Sequence, residues 1–420
     1  MVRLNFSPVK KTKKDLASLE EKNIKVAQEL LAKIYELAQK YRVNAYLVGG
    51  PVRDFLMAQE KTFQVFKDLD IALTNYYQEI GNELAVAYAV RPIIYPQFMT
   101  MTITLADFRI DIAQTRKEVY LRPAQLPLVA PATIDEDLGR RDFTVNAMAI
   151  LLTEKFITNA QAEVLDPFGG QADIKNKLIR ILHPKSFVDD PTRIFRALRF
   201  ALRLGFKLEK LTEKLMTEAI SQNLINLLSG ERIFYEFDMI CKEKVAHKIL
   251  AELQKRKVIK QLYKVNLLQD FFSQIKYLSS SEKLIYLFSH FSYKYYQKYP
   301  LKKEFVTVAQ ELNKRNMLIK RLRLTKRPST IYFLLKPYHL QTLQIIKKTT
   351  KDKSIRKKLE CYFKLKDTKL ATSGKTLKQY NVPPGPLYAK ILNKLLAYKL
   401  DGKIKTPQDE ERYLKALLRQ

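Results

Sequence analysis

Tyr46-Leu47-Val48-Gly49-Gly50-Pro51-Val52-Arg53-Asp54 is a short apolar stretch that runs into a Gly-Gly turn and a proline-initiated polar segment. A second apolar stretch follows it and carries Asp68 and Asp70. Glycine at a turn lets the backbone approach a phosphate, because no Cβ stands in the way. Aspartates at positions i and i+2 of a strand project from the same face. The stretch therefore predicts a phosphate-binding turn beside a carboxylate pair, the combination that metal-assisted phosphoryl chemistry requires.

The surrounding residues predict a mixed α/β unit of about 150 residues. Helical spacing of apolar residues predicts helices over Lys13–Tyr41 and Tyr76–Tyr88, and Pro51 begins a short helix that ends near Met57. Residues 61–67 are expected to form a loop. β-rich segments predict strands at Ala45–Val48, Leu69–Leu73, Arg91–Tyr95, Thr100–Leu105 and Phe108–Ile112. From Pro191 onward long helical stretches dominate, which indicates a domain boundary near residues 185–193.

The composition excludes several classes of protein. A chain of 420 residues is long enough for more than one domain with a substantial core. No run of eighteen apolar residues occurs, so no transmembrane helix is expected, and residues 1–14 lack the apolar segment of a secretory signal. The two cysteines, Cys241 and Cys361, lie far apart, which argues against a disulfide framework or a zinc site. This pattern is typical of a reducing, cytoplasmic setting.

The charge of the chain is unevenly distributed. Residues 241–420 hold 42 Lys and Arg against 13 Asp and Glu, a net of +29, whereas residues 1–240 carry a net of +3. A near-neutral front half and a very basic back half predict catalysis in front and polyanion binding behind. The alternative is that a lysine-rich composition merely solvates helix surfaces. Such a bias would also have made the front half basic.

Asp111 provides a third carboxylate, in the apolar setting of Arg109-Ile110-Asp111-Ile112. If the two strands are neighbours, Asp111 joins Asp68 and Asp70 on one face of the sheet. Three converging carboxylates repel one another unless a cation lies between them, and hard oxygen ligands favour Mg²⁺. The alternative is that each aspartate caps a turn or pairs with a nearby Lys or Arg.

Two further motifs lie downstream. Residues 137–149 read Asp-Leu-Gly-Arg-Arg-Asp-Phe-Thr-Val-Asn-Ala-Met-Ala, and residues 189–200 read Asp-Asp-Pro-Thr-Arg-Ile-Phe-Arg-Ala-Leu-Arg-Phe. Together with the opening stretch, they resemble the class II tRNA nucleotidyltransferases, the CCA-adding family that includes bacterial poly(A) polymerases. The resemblance is specific from about residue 43 to 235 and continues weakly to residues 373–406.

The resemblance implies roles for individual residues. Asp68 and Asp70 would hold two Mg²⁺ ions and, with Asp111, form the catalytic set. Nucleotide binding would fall to residues of the opening stretch, to Arg116 just after Asp111 and to polar residues of the two later motifs: Gly49, Gly50, Arg53, Arg116, Arg141, Asp142, Asn146, Asp190, Arg193 and Arg196. A bidentate cation, a carboxylate and an amide suit a triphosphate and a ribose.

Asp190 and Arg193 are the residues expected to choose the base. They are three apart on an expected helix, so they would share a face. Cytosine and adenine both present an amino donor beside a ring-nitrogen acceptor, whereas guanine and uracil place a carbonyl at the amine's position. One carboxylate and one guanidinium could therefore accept C or A and leave G or U badly paired. A plain surface salt bridge is the alternative interpretation of this spacing.

The expected fold class is α+β: a palm-like nucleotidyltransferase head over residues 1–150, a neck over 151–240 and a basic all-α body and tail over 241–420. The implied activity is addition of the 3′-terminal CCA to tRNA from CTP and ATP, with release of pyrophosphate. The acceptor and T arms of tRNA would contact the basic region, and no membrane partner is expected. A CC-adding or A-adding enzyme, a poly(A) polymerase and an RNA-binding protein with an inactive head are the alternatives.

Overall fold

The computed structural model describes residues 13–58, 68–106, 108–297 and 299–419. The chain forms two compact units, one that ends at Leu228 and one over Ser229–Gln420. The expected loop over residues 61–67 lies outside the described residues. The division into a head, a neck and a body with tail stays a prediction.

The first unit contains all the strands of the described chain. They are β1 (Ala45–Val48), β2 (Asp68–Leu73), β3 (Ile93–Tyr95), β4 (Thr100–Leu105), β5 (Phe108–Gln114), β6 (Arg116–Val119), β7 (Leu128–Pro131), β8 (Ala149–Leu151), β9 (Val164–Leu165), β10 (Leu178–Ile179) and β11 (Lys207–Leu208). Seven of them form one mixed sheet in the order β3-β4-β5-β2-β1-β8-β9. Within it β2 and β5 run parallel, while β1 is antiparallel to both β2 and β8. The five predicted strands are all present in this sheet, so the mixed sheet is confirmed.

Helices of the first unit surround the sheet and continue beyond it. They are α1 (Lys13–Lys40), α2 (Gly50–Met57), α3 (Tyr77–Ala87), α4 (Ile134–Gly139), α5 (Glu154–Asn159), α6 (Gly170–Asn176), α7 (Ser186–Asp189), α8 (Thr192–Leu204) and α9 (Lys210–Ser221). The three predicted helices, two from apolar spacing and one from Pro51, are confirmed to within a residue or so of their bounds. A capping box at Thr133 and Glu136 starts α4, because each side chain satisfies the other residue's backbone N–H.

The two faces of the sheet are covered differently. Leu47, Leu69 and Ile71 point into the main core, which they share with residues of α1 and α3. Because side chains alternate along a strand, Val48 and Ala72 point to the opposite face, where Leu138 of α4 packs on them. Asp68 and Asp70 share that second face, so the carboxylates lie on the side covered by α4.

The second unit is built from helices, and its described residues include no strand. The helices are α10 (Gly230–Lys242), α11 (Ala246–Lys255), α12 (Val258–Tyr263), α13 (Gln269–Gln274), α14 (Ser280–Phe288), α15 (Lys303–Asn313), α16 (Arg315–Leu324), α17 (Pro328–Leu335), α18 (Leu340–Thr349), α19 (Lys353–Leu365), α20 (Gly374–Gln379), α21 (Pro386–Leu400) and α22 (Pro407–Leu418). Aromatic side chains fill part of the interior, with the rings of Tyr263 and Phe291 stacked at 3.8 Å. The expected all-α back half is confirmed. Among the described helices, none has the length and apolarity needed to span a bilayer.

Candidate active site

The Gly-Gly turn lies where three of the sequence motifs meet. Gly49 follows β1 with φ +74° and ψ −128°, a conformation open to glycine, and its N–H donates to the carbonyl of Met148 at 3.2 Å. A Cβ at this position would lie 2.9 Å from Nη1 of Arg141 and 3.6 Å from Oδ2 of Asp70. The turn, the carboxylate pair and the Arg-Arg-Asp motif therefore converge on one small space.

Asp70 and Asp111 are direct neighbours across the parallel strands β2 and β5. The register pairs Asp70 with Asp111 and Asp68 with Arg109, which places all three aspartates on one face. Asp111 accepts a hydrogen bond from Oγ1 of Thr102 at 2.5 Å and an ion pair from Nε of Arg109 at 3.0 Å. The expectation that Asp111 joins the other two carboxylates on the sheet is confirmed in position.

The electrostatics of this face fit a cation. Burial raises the pKa of Asp70 to about 6; the nearby Arg141 opposes this rise, while Asp111 and Asp68 add to it. A divalent ion between these carboxylates would remove their repulsion, and carboxylate oxygen is the ligand that Mg²⁺ prefers. In the described part of the chain, no three His, Cys, Asp or Glu side chains are already gathered into a metal-ligand cluster. The chemistry of the carboxylate donors therefore fits a divalent metal ion.

Four of the expected nucleotide-binding residues form one hydrogen-bonded chain. Arg53 is almost fully buried and donates from Nη1 to Oδ1 of Asn146 at 2.6 Å. Asn146 donates to Oδ1 of Asp142 at 3.0 Å, and Oδ2 of Asp142 accepts from Nε and Nη2 of Arg196 at 2.7 and 2.6 Å. Burial alone would raise the pKa of Asp142, but Arg196 and Asn146 hold it below its usual value. Arg53, Asp142, Asn146 and Arg196 are thus brought together as the sequence predicts.

The ring of Phe200 packs against this hydrogen-bonded group of side chains. The sequence interpretation gives Phe200 no role. The guanidinium carbons of Arg53 and Arg196 each lie 5.4 Å from its ring centroid. Phe143 packs edge-on against the same ring at 6.0 Å. The Phe200 ring therefore gives both arginines an uncharged cation–π partner.

The two residues expected to select the base do not lie on one helix, and this expectation is wrong. Asp190 has φ −134° and ψ 93° and lies before α8, whereas Arg193 is in the first turn of α8. The cause is Pro191, because a residue that precedes proline is driven from helical to extended backbone. Oδ1 of Asp190 accepts from N and Oγ1 of Thr192 at 2.9 and 2.6 Å, which closes a turn just before α8.

Arg193 is buried and held by two acceptors. Its Nη1 donates to Oγ of Ser186 at 2.6 Å, and its Nη2 donates to the backbone carbonyl of Arg140 at 2.8 Å. Its guanidinium is therefore fixed in the absence of any base. The pairing of Asp190 and Arg193 with a base stays a prediction.

Arg116 and Gly50 are not part of the hydrogen-bonded chain that joins Arg53 to Arg196. The guanidinium of Arg116 donates to the carbonyl of Phe98, and burial and the neighbouring Arg140 lower its pKa to about 10. A Cβ on Gly50 would lie 3.6 Å from Nη2 of Arg53, an ordinary contact. The phosphate contact expected of Arg116 stays a prediction.

Asp137 is a site residue that the sequence interpretation misses. It is almost fully buried; its Oδ1 accepts from Arg140 and its Oδ2 accepts from Nη2 of Arg141 at 2.9 Å. Its pKa is below the usual value, because the two arginines outweigh the effect of burial. The signal was present in the motif, since an acid three and four residues before two arginines reaches both on a helix.

Family models match both units. Residues 45–180 match the model described as "Poly A polymerase head domain", and residues 205–277 match the one described as "Probable RNA and SrmB- binding site of polymerase A". These matches include the Gly-Gly turn, all three aspartates and the Arg-Arg-Asp motif.

Curated relatives carry names of tRNA nucleotidyltransferases. The chain is 39% identical over 221 residues to the A-adding tRNA nucleotidyltransferase of Aquifex aeolicus, which covers 52% of this chain and 26% of the relative. It is 28% identical over 417 residues to the A-adding tRNA nucleotidyltransferase of Geobacter sulfurreducens. That match covers 91% of this chain and 46% of the relative. The chain thus spans half or less of the length of these curated relatives.

Solved structures match nearly the whole chain. A CCA-adding enzyme in an apo form has a TM-score of 0.76 and 27% identity, covering 94% of this chain and 98% of the other. The CCA-adding enzyme of Thermotoga maritima, complexed with tRNA, has a TM-score of 0.71 and 26% identity, covering 95% and 98%.

Proposed function

Because this chain belongs to the family of tRNA nucleotidyltransferases and bacterial poly(A) polymerases, we propose that it adds the 3′-terminal CCA to tRNA from CTP and ATP, releasing pyrophosphate. The observation that carries the proposal is the convergence of Gly49, Asp70 and Arg141 on one space, with Asp111 beside Asp70. It joins a backbone turn open to phosphate, a carboxylate pair and a cation, which nucleotidyl transfer requires.

The triphosphate is bound at the turn. Gly49 and Gly50 let the backbone approach it, and Gly50 begins α2, whose N-terminal N–H groups favour an anion. Arg141 lies at the turn, and Arg196 reaches the neighbouring Asp142. Arg53, Asp142 and Asn146 hold one another in place, and we assign them to the ribose and the phosphates.

The reacting groups lie on the α4-covered face of the sheet. Asp68 and Asp70 would hold two Mg²⁺ ions, which supply positive charge for the attacking and leaving oxygens. Asp111 orients the 3′-hydroxyl of the RNA and accepts its proton. Asp190 and Arg193 read the base, and Arg193 is already immobilised by Ser186 and Arg140.

The basic second unit is assigned to tRNA. Its charge supports this assignment, as does the similarity to the Thermotoga maritima CCA-adding enzyme, whose structure is a complex with tRNA. We keep the three-part division into a head (1–150), a neck (151–240) and a body with tail (241–420). The two free cysteines support a cytoplasmic location.

A second candidate function is addition of the terminal A alone. It is favoured by the names of three curated relatives, all described as A-adding tRNA nucleotidyltransferases. Both functions use the same site and differ in how many nucleotides they add.

One assay separates these functions. The purified chain is incubated with Mg²⁺ and labelled CTP or ATP, singly and together, on tRNA that ends at the discriminator base and on tRNA that ends in CC. Addition of three nucleotides with both NTPs supports CCA addition. Addition of A to tRNA-CC alone supports the A-adding function, and long A tails support a poly(A) polymerase. Binding of tRNA without any incorporation would contradict the proposal.

A pair of variants tests the site itself. Asp70→Ala should abolish transfer and leave tRNA binding within about twofold, because Asp70 lies on the catalytic face and not on the basic unit. Asp135→Asn, an exposed carboxylate on α4, is the matched control and should keep its activity. Full activity of Asp70→Ala would refute the carboxylate assignment.

A further inference from the structure

We infer that Glu118 is a positioning residue for nucleotide choice: through Arg140 it fixes the guanidinium of Arg193 and keeps it in register with Arg141 at the phosphate turn. The inference rests on the proposed function. It adds to the base-reading site a residue of β6 that lies outside the motifs and that would not touch the nucleotide.

Glu118 accepts from two hydrogen-bond donors, and Nε of Arg116 forms a longer ion pair with its Oε1 at 3.9 Å. Its Oε1 accepts from Nη1 of Arg140 at 2.8 Å, and its Oε2 accepts from the hydroxyl of Tyr120 at 2.8 Å. The side chain is 9% exposed. Both oxygens are thus committed, and the carboxylate presents a fixed acceptor to Arg140.

Arg140 passes this constraint to Arg193. Its side chain is clamped from two sides, by Glu118 on Nη1 and by Oδ1 of Asp137 on Nε and Nη2 at 3.0 and 2.8 Å. Its backbone carbonyl accepts from Nη2 of Arg193 at 2.8 Å. Because the planar guanidinium is held at both edges, the backbone of Arg140 has little freedom to move the acceptor that orients Arg193.

Asp137 extends the same ion cluster to the phosphate end of the site. Its second oxygen accepts from Nη2 of Arg141 at 2.9 Å, and Nη1 of Arg141 lies at the Gly49 turn. One cluster, Glu118–Arg140–Asp137–Arg141, therefore joins the residue that reads the base to the residue that meets the phosphates. Only a base that fits Arg193 would then leave the triphosphate correctly placed at the turn.

The hairpin of β6 and β7 is also attached to the base-reading segment. The N–H of Ala124, at the tip of the hairpin, donates to the carbonyls of Val188 and Asp189 at 3.3 and 3.2 Å. A cavity of about 470 Å³ borders Glu118, Tyr120, Arg140 and Arg193. Arg140 consequently has room to shift once Glu118 no longer holds it, so the loss of Glu118 should loosen Arg193.

A role in positioning accounts for this cluster better than a role in stability. A buried ion cluster contributes little net stability compared with apolar packing, because desolvation offsets the attraction between the charges. What such a cluster does provide is geometry, and here it fixes the relative positions of two arginines that serve opposite ends of one ligand.

The test compares Glu118→Gln and Tyr120→Phe, with Asp135→Asn as the exposed control. The dissociation constants of ATP, CTP, GTP and UTP are measured for each full-length variant, together with kcat/KM for transfer to tRNA. For Glu118→Gln we expect the preference for ATP and CTP over GTP and UTP to fall about tenfold. ATP and CTP should bind more weakly, while GTP and UTP should bind more tightly. Tyr120→Phe keeps the ion pair between Glu118 and Arg140, so its preference for ATP and CTP should fall only about threefold. Asp135→Asn should keep the full preference.

Unchanged preference in a folded Glu118→Gln protein would overturn the inference, as would an equal loss for all four nucleotides. If Glu118→Gln does not fold, Tyr120→Phe decides: an unaltered preference overturns the inference. The binding arm separates this inference from the proposed function. An unsubstituted protein that prefers ATP and CTP but transfers nothing would refute the proposed function, while the variant preferences would still judge Glu118. Equal binding of all four nucleotides by the unsubstituted protein would overturn the inference.

Discussion

Position 49 disfavours any residue with a Cβ, both because of its backbone conformation and because the site around it is crowded. With φ +74° and a neighbouring guanidinium 2.9 Å from where a Cβ would be, alanine would meet both strain and a clash. We expect Gly49→Ala to lower kcat/KM by more than about a hundredfold and to destabilise the protein by about 1–3 kcal/mol. Single-turnover transfer and thermal denaturation of the purified protein measure the two effects.

Gly169 offers a control for a positive φ without crowding. It has φ +75°, and a Cβ there would meet nothing within 4 Å. Gly169→Ala should therefore lose about 1 kcal/mol from its left-handed backbone while its transfer rate stays unchanged. Similar rate losses in the two variants would mean that general strain, and not crowding of Arg141, explains the Gly49 effect.

At the scale of elements, sequence patterns predict what local rules control. The alternating residues of β4 and the continuous apolar run of β1 give both strands with their observed bounds, because a half-buried strand alternates and a fully buried strand is apolar throughout. β8 and β9 are not among the predicted strands, since three and two residues are too short to show alternation. Asp190 was predictable from the proline rule, yet the helical spacing to Arg193 took precedence in the sequence interpretation.

The candidate site divides in the same way. The residues proposed to face the ligand lie in motifs with fixed spacing, so the sequence directly indicates Asp70, Asp142 and Arg196. Glu118 acts through a contact that tertiary structure creates, the 2.8 Å bond to Arg140, whereas the spacing of Asp137 from Arg140 and Arg141 is visible within the motif. No local spacing reveals a bond between residues 22 positions apart.

His290, just beyond α14, makes the stability of the second unit sensitive to acid. Its Nδ1 donates to the carbonyl of Tyr286 at 2.7 Å, so its Nε2 accepts from Arg315 at 2.8 Å. Burial, together with Arg315, lowers the pKa of His290 to about 4. Below pH 6.5 the unfolded chain takes up a proton that the folded chain refuses, so stability falls as the pH drops from about 6.5 to about 4.

His290→Gln tests this linkage. The pKa difference amounts to at most about 3 kcal/mol, lost across that pH window. The variant should be less stable at pH 7, because a buried partner of Arg315 changes, but its free energy of unfolding should vary less between pH 4 and pH 7. Denaturant unfolding of the full-length protein across this range measures the slope. Parallel curves for the variant and the unsubstituted protein would show that another group controls the acid limb.

At the scale of the whole molecule, the division of charge has a measurable consequence. The net +29 of residues 241–420 should bind tRNA through phosphates, and each phosphate contact releases counterions from the RNA. The affinity for tRNA should fall about a hundredfold between about 50 and 200 mM salt, as expected for about four contacts.

Replacing Arg321, Lys326 and Arg327 with Gln should lessen this salt dependence. The same change at Lys25, Lys155 and Lys175, all exposed in the first unit, should leave it unaltered. Filter binding or fluorescence anisotropy across the salt series measures both variants. An affinity indifferent to salt, or a larger effect from the first-unit variant, would contradict assignment of tRNA to the basic half.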